Sequence, residues 1–359
     1  MKLKDLWRKN PLRTSYIHSI QRSYLTRLHA SDISRAVVFL IPGDNKINGG
    51  VISIFSLAEE TGKLGHIHNA KTFICTFPGD PPLRRFTRLE NSVQLLDLHG
   101  LLATIRKNSS VLIHLPEMFV ERFVGHGSTL AVAFPEIEWR FNILLQNIDL
   151  IPSKVHVEAL QRLGTVTCTT AHLAYSNKET EARLGCPVHH FSAWVSPDKY
   201  RYVKYEEKEN LVILSPDCHP RRKEILDTIL SEMGHFKFVT IKKMTYEDYK
   251  KLIARAKFSL TFGEGLDGYF AEPILSGGIG SAVYNNKFFT EDFAGQPFVY
   301  KSWDDLKNNF ARDALSVDNP DDFENIQAKQ YAMICSQYSH VQYAANIEEF
   351  YKNNYRICG

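Results

Sequence analysis

Thr261-Phe-Gly-Glu-Gly-Leu-Asp-Gly-Tyr-Phe-Ala-Glu272-Pro-Ile-Leu-Ser-Gly-Gly-Ile-Gly280 is the stretch on which the reading of this chain turns. Two carboxylates, Glu264 and Glu272, are separated by seven residues, with glycines clustered around the first. Upstream, Lys257-Phe-Ser-Leu-Thr261 reads as a buried strand that ends at a turn. Gly263, Gly265 and Gly268 let that turn's backbone come close to a ligand. Glu272 then falls in the first turns of a helix, whose N-terminal amides favour anionic groups. A small-residue run follows, and then a short apolar strand, Ser281-Ala-Val-Tyr284. One carboxylate on the turn and one on the helix can grip two hydroxyl-bearing parts of a single elongated ligand, which suits a nucleotide-sugar.

Around this stretch the elements alternate. Residues 211–215 read as a strand, 223–233 as a helix, 236–241 as a strand and 246–256 as a helix. An earlier cycle runs through Ala36-Val-Val-Phe-Leu-Ile41 as a buried strand, a polar loop over 44–50, a helix over 51–63, and strands at 71–77 and 110–115. Such alternation predicts parallel sheets covered by helices, an α/β architecture. The charged stretch 198–210 is the expected linker between two domains, and 323–355 is helical in pattern.

The Glu-x(7)-Glu segment resembles the motif of retaining glycosyltransferases with the GT-B fold, Glu-Gly-Phe-Gly-Leu-Pro-x-x-Glu-Ala-x-Ala-x-Gly. Glu264, Gly265, Glu272 and the small residues 276–278 match, whereas Leu266, Asp267 and Gly268 stand in place of Phe-Gly-Leu. The resemblance implies two Rossmann-like αβα domains facing across a cleft, with a C-terminal helix crossing back. The expected division is a basic segment over 1–35, an acceptor-side domain over 36–197, a nucleotide-sugar domain over 198–335 and a crossover helix over 336–359. It also implies that Glu264 contacts donor-sugar hydroxyls and that Glu272 accepts hydrogen bonds from the ribose. Met244 and Thr245, after the 236–241 strand, correspond to the loop that cradles the base.

Gly49 and Gly50, after the first strand and at the start of a helix, resemble the family's Gly-Gly loop. Two glycines there expose amides to a diphosphate without side-chain obstruction. In His219-Pro-Arg221-Arg222-Lys223 the two arginines are the expected diphosphate ligands, because a guanidinium fork matches phosphate oxygens. His114, next to Pro116 and Glu117 at the end of a strand, is the expected histidine on the acceptor or sugar side. The chain contains no Asp-x-Asp triplet, and none of its histidines pairs with cysteine in a zinc-type spacing. Catalysis is therefore expected to need no metal and no cofactor beyond the nucleotide-diphosphate sugar used as donor. The acceptor is expected to be a carbohydrate or a lipid-linked glycan, as in bacterial surface polysaccharide synthesis.

Composition bounds the alternatives. A chain of 359 residues suits two ordinary domains, and 44% hydrophobic with 23% charged residues is globular usage. A net charge of +3 gives no reason to expect nucleic acid as a partner. The longest apolar run is far too short to span a bilayer. Six cysteines without a C-x-x-C pair read as reduced thiols, and so as a cytoplasmic protein. Residues 1–35 carry eight Lys/Arg against two acids. That segment reads either as an amphipathic arm on an anionic membrane surface or as a helix packed on the first domain. Gly277-Gly-Ile-Gly280 raises a dinucleotide-dependent oxidoreductase as a rival, but these glycines end a helix and precede a strand, the reverse of a Rossmann fingerprint. Other rivals are a GT-B epimerase, an inverting transferase, or a sugar-binding protein without activity.

Overall fold

The computed structural model describes residues 11–43, 49–78, 80, 95–192, 200–242 and 244–357, with side chains from residue 19 onward. The chain forms two compact units, Met1–Ala193 with Ala344–Gly359, and Trp194–Tyr343.

The first unit is built on a seven-stranded sheet of β1 (Arg35–Ile41), β2 (Lys71–Thr76), β3 (Leu95–Asp97), β4 (Ser110–Pro116), β5 (Glu138–Leu145), β6 (Thr165–Thr170) and β7 (Val188–His190). Every pair is parallel, in the order β3-β2-β1-β4-β5-β6-β7, so the winding reverses between β1 and β4. Ala36 through Ile41 are all buried, as a parallel strand covered on both faces requires. The helix Val120–Ala133 buries Val120, Phe123, Gly127 and Leu130, a helical stripe aimed at the sheet. The described part of the basic segment, residues 11–35, begins with the helix Pro11–Arg27, which buries Leu25. Gln21 of the same helix pairs with the backbone of edge strand β3 at Leu95 O (3.4 Å) and Asp97 N (3.1 Å). Residues 1–10 lie outside the described part.

The last helix, His340–Tyr351, carries the chain back to the first unit. Tyr351 OH lies 3.2 Å from Thr61 Oγ1 and 2.9 Å from His114 Nε2, and His189 Nε2 lies 2.7 Å from Asn346 O. His190 N donates to Arg356 O, covering edge strand β7.

The first unit buries several imidazoles. Burial lowers His114 and His190 to about 3 and His172 to about 4, and lowers His68 and His189 as well. Between pH 6.5 and about 3 the unfolded chain therefore binds more protons than the folded first unit. The stability these neutral rings contribute is whole above pH 6.5 and lost on acidification. Melting followed by circular dichroism should show the first unit losing on the order of a few kcal/mol between pH 7 and pH 4.5. His114→Gln should flatten that slope while lowering stability at pH 7.

The second unit has a five-stranded sheet of β8 (Glu209–Leu214), β9 (Lys237–Thr240), β10 (Ala256–Leu260), β11 (Ile279–Val283) and β12 (Val299–Tyr300), ordered β12-β11-β10-β8-β9. All four pairings are parallel. Val212, Leu214, Phe258, Leu260 and Ile279 of the sheet pack with Ile225 and Ile229 of the helix Arg222–Glu232 and with Leu306 and Phe310 of the helix Trp303–Ser316. The expected linker, so far as it is described, is folded into this unit. Val203 N donates to Ser276 O, and Lys208 Nζ donates to Ala254 O and Ser276 O at 3.1 Å each. That lysine closes the carboxyl ends of two helices, and burial lowers it to about 7.

Candidate functional site

In the second sheet the winding reverses between β8 and β10, the switch point at which open α/β sheets bind ligands beyond the carboxyl ends of their strands. The two loops that leave those ends are tied together. Ser215 N donates to Leu260 O at 3.0 Å, Phe262 N donates to Ser215 Oγ at 2.9 Å, and Thr261 N donates to Ser281 O at 3.0 Å.

Within the 261–267 turn, Thr261 Oγ1 donates to Asp267 Oδ2 (2.8 Å) and accepts from Gly263 N (3.1 Å). Asp267 Oδ1 accepts from Phe270 N at 3.0 Å, capping the helix Gly268–Leu275 that bears Glu272. One aspartate thus fixes both the turn carrying Glu264 and the helix carrying Glu272. Gly265 has φ +102°, and a Cβ there would stand 2.5 Å from Phe289. At Gly263 a Cβ would lie 2.9 Å from Oδ2 of both Asp217 and Asp267, so two carboxyl groups converge on this glycine.

A cleft of about 600 Å³ opens here. It is lined by His219 after β8, residues 262–264 after β10, residues 283–286 after β11 and Trp303 after β12. Phe262 stacks parallel to Trp303 (5.6 Å, 3°), and His219 lies 4.0 Å from the same indole. Glu264 is half-buried in the lining.

Glu272 folds back over Gly268, where a Cβ would lie 3.0 Å from its Oε1. Its Oε2 is buried with no hydrogen-bond partner. Burial pushes the carboxyl up to about 7, and the Tyr249 and Tyr200 hydroxyls pull it partly back. Tyr200 OH in turn lies 2.8 Å from Tyr246 OH. Burial and the neighbouring Asp217 likewise raise Asp267 to about 7, against the hydrogen bonds from Thr261 and Phe270. Both groups hold protons more tightly folded than unfolded. Their contribution to stability is whole below about pH 4 and lost as pH rises through 7, opposite in sign to the histidines of the first unit.

The two arginines are already engaged. Arg221 makes a fork on Glu224 (3.1 Å to each oxygen) and reaches Asp304 Oδ1 at 2.7 Å. Arg222 Nη1 donates to Ser215 O (2.6 Å) and Asp217 O (3.0 Å), and the guanidinium lies 4.6 Å from the centre of Phe262. Arg222 therefore braces the loop after β8 from behind the aromatic wall. Thr245 caps the helix Tyr246–Arg255 in a reciprocal box with Asp248, and half-buried Met244 precedes it.

In the first unit Gly49 and Gly50 are the first two residues of the helix Gly49–Lys63, with Gly50 O accepting from Gln146 Nε2 at 3.1 Å. The expectation for His114 is corrected. It lies within β4 rather than at an open strand end and is fully buried, stacked on Phe39 at 4.2 Å. Its two ring nitrogens meet Tyr351 OH (2.9 Å) and Asn142 Nδ2 (3.0 Å). A strand of continuous apolar sequence buries both faces, and so buries a histidine within it.

Of the expected residues the cleft lining takes in Glu264, whereas Gly265, Glu272, Arg221, Arg222, Met244 and Thr245 are not part of it, and Gly49, Gly50 and His114 belong to the other unit. Sequence reasoning overlooked Trp303, Asn285, Asn286, Asp217 and the structural part of Asp267. The Asn285-Asn286 pair directly after an apolar strand was the legible signal, since strand ends face the ligand in such sheets.

Neither a family profile nor a curated protein sequence matches the chain. Solved structures do. A trehalose-6-phosphate synthase studied for glycosyl transfer with retention superposes with a TM-score of 0.54 at 9% identity, over 89% of this chain and 99% of that one. The UDP-forming α,α-trehalose-phosphate synthase of Burkholderia vietnamiensis gives 0.54 at 10% identity, over 89% and 100%. A DNA-modifying β-glucosyltransferase, solved with and without uridine diphosphoglucose, gives 0.53 at 10%, over 89% and 98%. The fold is GT-B: two Rossmann-like units with parallel sheets, the last helix returning to the first. No helix among the described residues is long and apolar enough to cross a membrane.

Proposed function

We propose that the chain is a retaining, metal-independent glycosyltransferase that moves a sugar from a nucleotide-diphosphate donor to a glycan or lipid-linked acceptor. The observation that carries this reading is the position of Glu264, in the lining of the cleft at the switch point of the second sheet, on the turn that leads into the helix of Glu272. Glu264 would accept hydrogen bonds from the donor sugar and Glu272 from the ribose. In the transfer the bond from the anomeric carbon to the leaving phosphate oxygen breaks, and the bond to the acceptor oxygen forms on the same face. The acceptor proton passes to the departing phosphate, so no protein nucleophile is required. Charge then builds on the diphosphate. Arg221 can meet it by exchanging Glu224 and Asp304 for phosphate, with Arg222 holding the loop in place. Met244 and Thr245 would border the base, and Gly49 and Gly50 would offer amides from the first unit. Surface-polysaccharide assembly in the cytoplasm, with residues 1–35 resting on an anionic membrane, is proposed as the setting on the strength of that segment's basic charge.

Calorimetric titration with UDP, GDP, dTDP, ADP and CMP tests the reading. One nucleotide should bind selectively, and Glu272→Ala should weaken it about ten- to a hundredfold, the worth of a hydrogen bond to a charged group. Ribose hydroxyls that donate to Glu272 favour its ionised form, so binding releases a proton. Affinity should therefore rise by up to about tenfold per unit from pH 6 to pH 7 and level off above, and Glu272→Gln should remove that slope. Binding to no nucleotide, or binding indifferent to Glu272, would refute the assignment. The engagement of Arg221 by two acids favours one second reading, a GT-B nucleotide-sugar enzyme of another kind (an epimerase or inverting transferase) or a sugar-binding protein without turnover.

A further inference from the structure

We propose that Asp217 and Asp267 form one proton-sharing carboxyl pair, a neutral acid against a carboxylate, which joins the loop after β8 to the turn after β10 and positions Glu264 and Glu272 for the ligand. The two aspartates act through those glutamates, as positioning residues. Their pairing stands on geometry alone, whereas its service to donor binding rests on the transferase reading.

Asp267 stands where the Glu-x(7)-Glu motif has glycine, so the device belongs to this chain. Its Oδ1 accepts from Phe270 N (3.0 Å) at the start of the Glu272 helix, and its Oδ2 accepts from Thr261 Oγ1 (2.8 Å) just past β10. Asp217 comes from the other loop. Its backbone is fixed, since its carbonyl accepts from Arg222 Nη1 at 3.0 Å, yet Oδ2 of its carboxyl is buried and has no partner. The two Oδ2 atoms close on Gly263, each 2.9 Å from the point a Cβ would occupy, so any larger residue would drive the carboxyls apart. A buried acceptor without a donor is costly, and so are two like charges side by side. One proton removes both costs: an O–H on Asp267 donates to Asp217 Oδ2, and the pair carries a single negative charge.

The charges around the pair favour that proton. Burial pushes Asp267 up to about 7, Asp217 and Glu264 add to the rise, and the bonds from Thr261 and Phe270 oppose it. The other groups that interact with its charge are Glu272 and Tyr269, on the helix it caps, and Tyr338, which follows the helix Pro320–Gln337. Each of these is itself an acid. Arg222 directs Nη1 to the carbonyls of Ser215 and Asp217 rather than to the Asp217 carboxyl. With the pair closed, the turn of Glu264 is held at both ends, by Thr261 and by Asp267, and the first turn of the Glu272 helix is held by the same carboxyl.

Carboxyl 13C NMR of the full chain, labelled at the Asp and Glu side chains and followed against pH, tests the pair without any ligand. One aspartate should titrate near 7 in the wild type. Asp217→Asn, whose amide donates to the Asp267 carboxylate, and Gly263→Ala, which wedges the carboxyls apart, should each lower that midpoint by about one unit. Asp267→Asn, an isostere of the neutral acid, should remove it while leaving the raised titration of Glu272 in place. Asp267→Ala should drop Glu272 toward the ordinary carboxylate range, as its helix start loosens and admits water. Calorimetry with the nucleotide that the wild type selects should find Asp267→Asn within about threefold of wild type and Asp267→Ala weaker by about tenfold or more. Absence of an aspartate titrating near 7, or a midpoint indifferent to both Asp217→Asn and Gly263→Ala, would overturn the pair. If Asp267→Ala kept both the Glu272 titration and the nucleotide affinity, the positioning role would fall while the transferase stood. A wild type that binds no nucleotide sinks the transferase alone, because the aspartate and Glu272 titrations still decide the pair.

Discussion

Gly265→Ala is expected to lower the stability of the second unit by roughly 2–6 kcal/mol, combining a backbone held at positive φ with overpacking of a filled site. At φ +102° a side chain is strained wherever it points. Here it also meets Phe289 Cε2 at 2.5 Å and Val283 O at 3.0 Å. Neither can yield cheaply. Phe289 is buried and held by Phe270, Phe293 and Tyr284, with ring centres 5.2 to 5.7 Å away. Val283 belongs to β11. The turn would have to move as a whole, taking Glu264 out of the cleft, so ligand binding should fall together with the denaturation midpoint. Gly49→Ala is the control. A Cβ there meets nothing within 4 Å, and stability should change by less than about 0.5 kcal/mol. Urea denaturation of both variants checks the contrast, and a Gly265→Ala protein of unchanged midpoint would refute the account of the turn.

That glycine was legible in the sequence because it stands next to Glu264 in a motif whose strand, turn and helix follow in order. β1, β4, β8 and β10 were equally legible, each a short run of apolar or β-branched residues buried by helices. What escaped were strands without that signature. β6, Thr165–Thr170, is threonine-rich and looks polar, yet Cys168, Thr169 and Thr170 are buried, with Asn142 and His190 satisfying the two threonine hydroxyls. β12 is only two residues long. The site was half-legible for a similar reason. Sequence spacing locates groups on one turn and helix, such as Glu264 and Glu272, but Trp303 and Asn285 reach the same cleft from strands β12 and β11, which only the sheet order makes neighbours. His114 misled because its rank in the strand was read as an end, whereas it is still paired with β1 at Phe39 and β5 runs on past it in register to Pro116. Whether a nearby Arg faces phosphate or protein is likewise not written in Pro-Arg-Arg; it depends on Glu224, Asp304 and the carbonyls of the β8 loop.

Asp318→Ala is expected to cost about 3–5 kcal/mol, the penalty of stranding a buried charge. Lys257, 6% exposed, donates to Asp318 Oδ1 at 2.6 Å, to Asn210 Oδ1 at 2.7 Å and to Tyr205 OH at 3.2 Å, and lies 4.2 Å from the centre of the Tyr205 ring. Tyr205 OH donates to the same carboxylate oxygen at 2.9 Å. The pair exists because the strands slip. Ala256 faces Glu209 but Phe258 faces Val212, so β8 holds one extra residue and presents Asn210 to the lysine. Losing the aspartate leaves an ammonium among aromatic rings, whereas Lys257→Met with Asp318→Ala removes both charges and should recover most of the loss. A double-mutant cycle by urea denaturation should therefore give a strong coupling between the two positions. The cycle also separates stability from function. Lys257 stands at the start of β10 and the Glu264 turn at its end, so the double variant should keep ligand affinity if the pair only anchors the strand. If affinity fell in the double variant despite recovered stability, the pair would have a part in setting the turn, and the view of it as a simple anchor would fail.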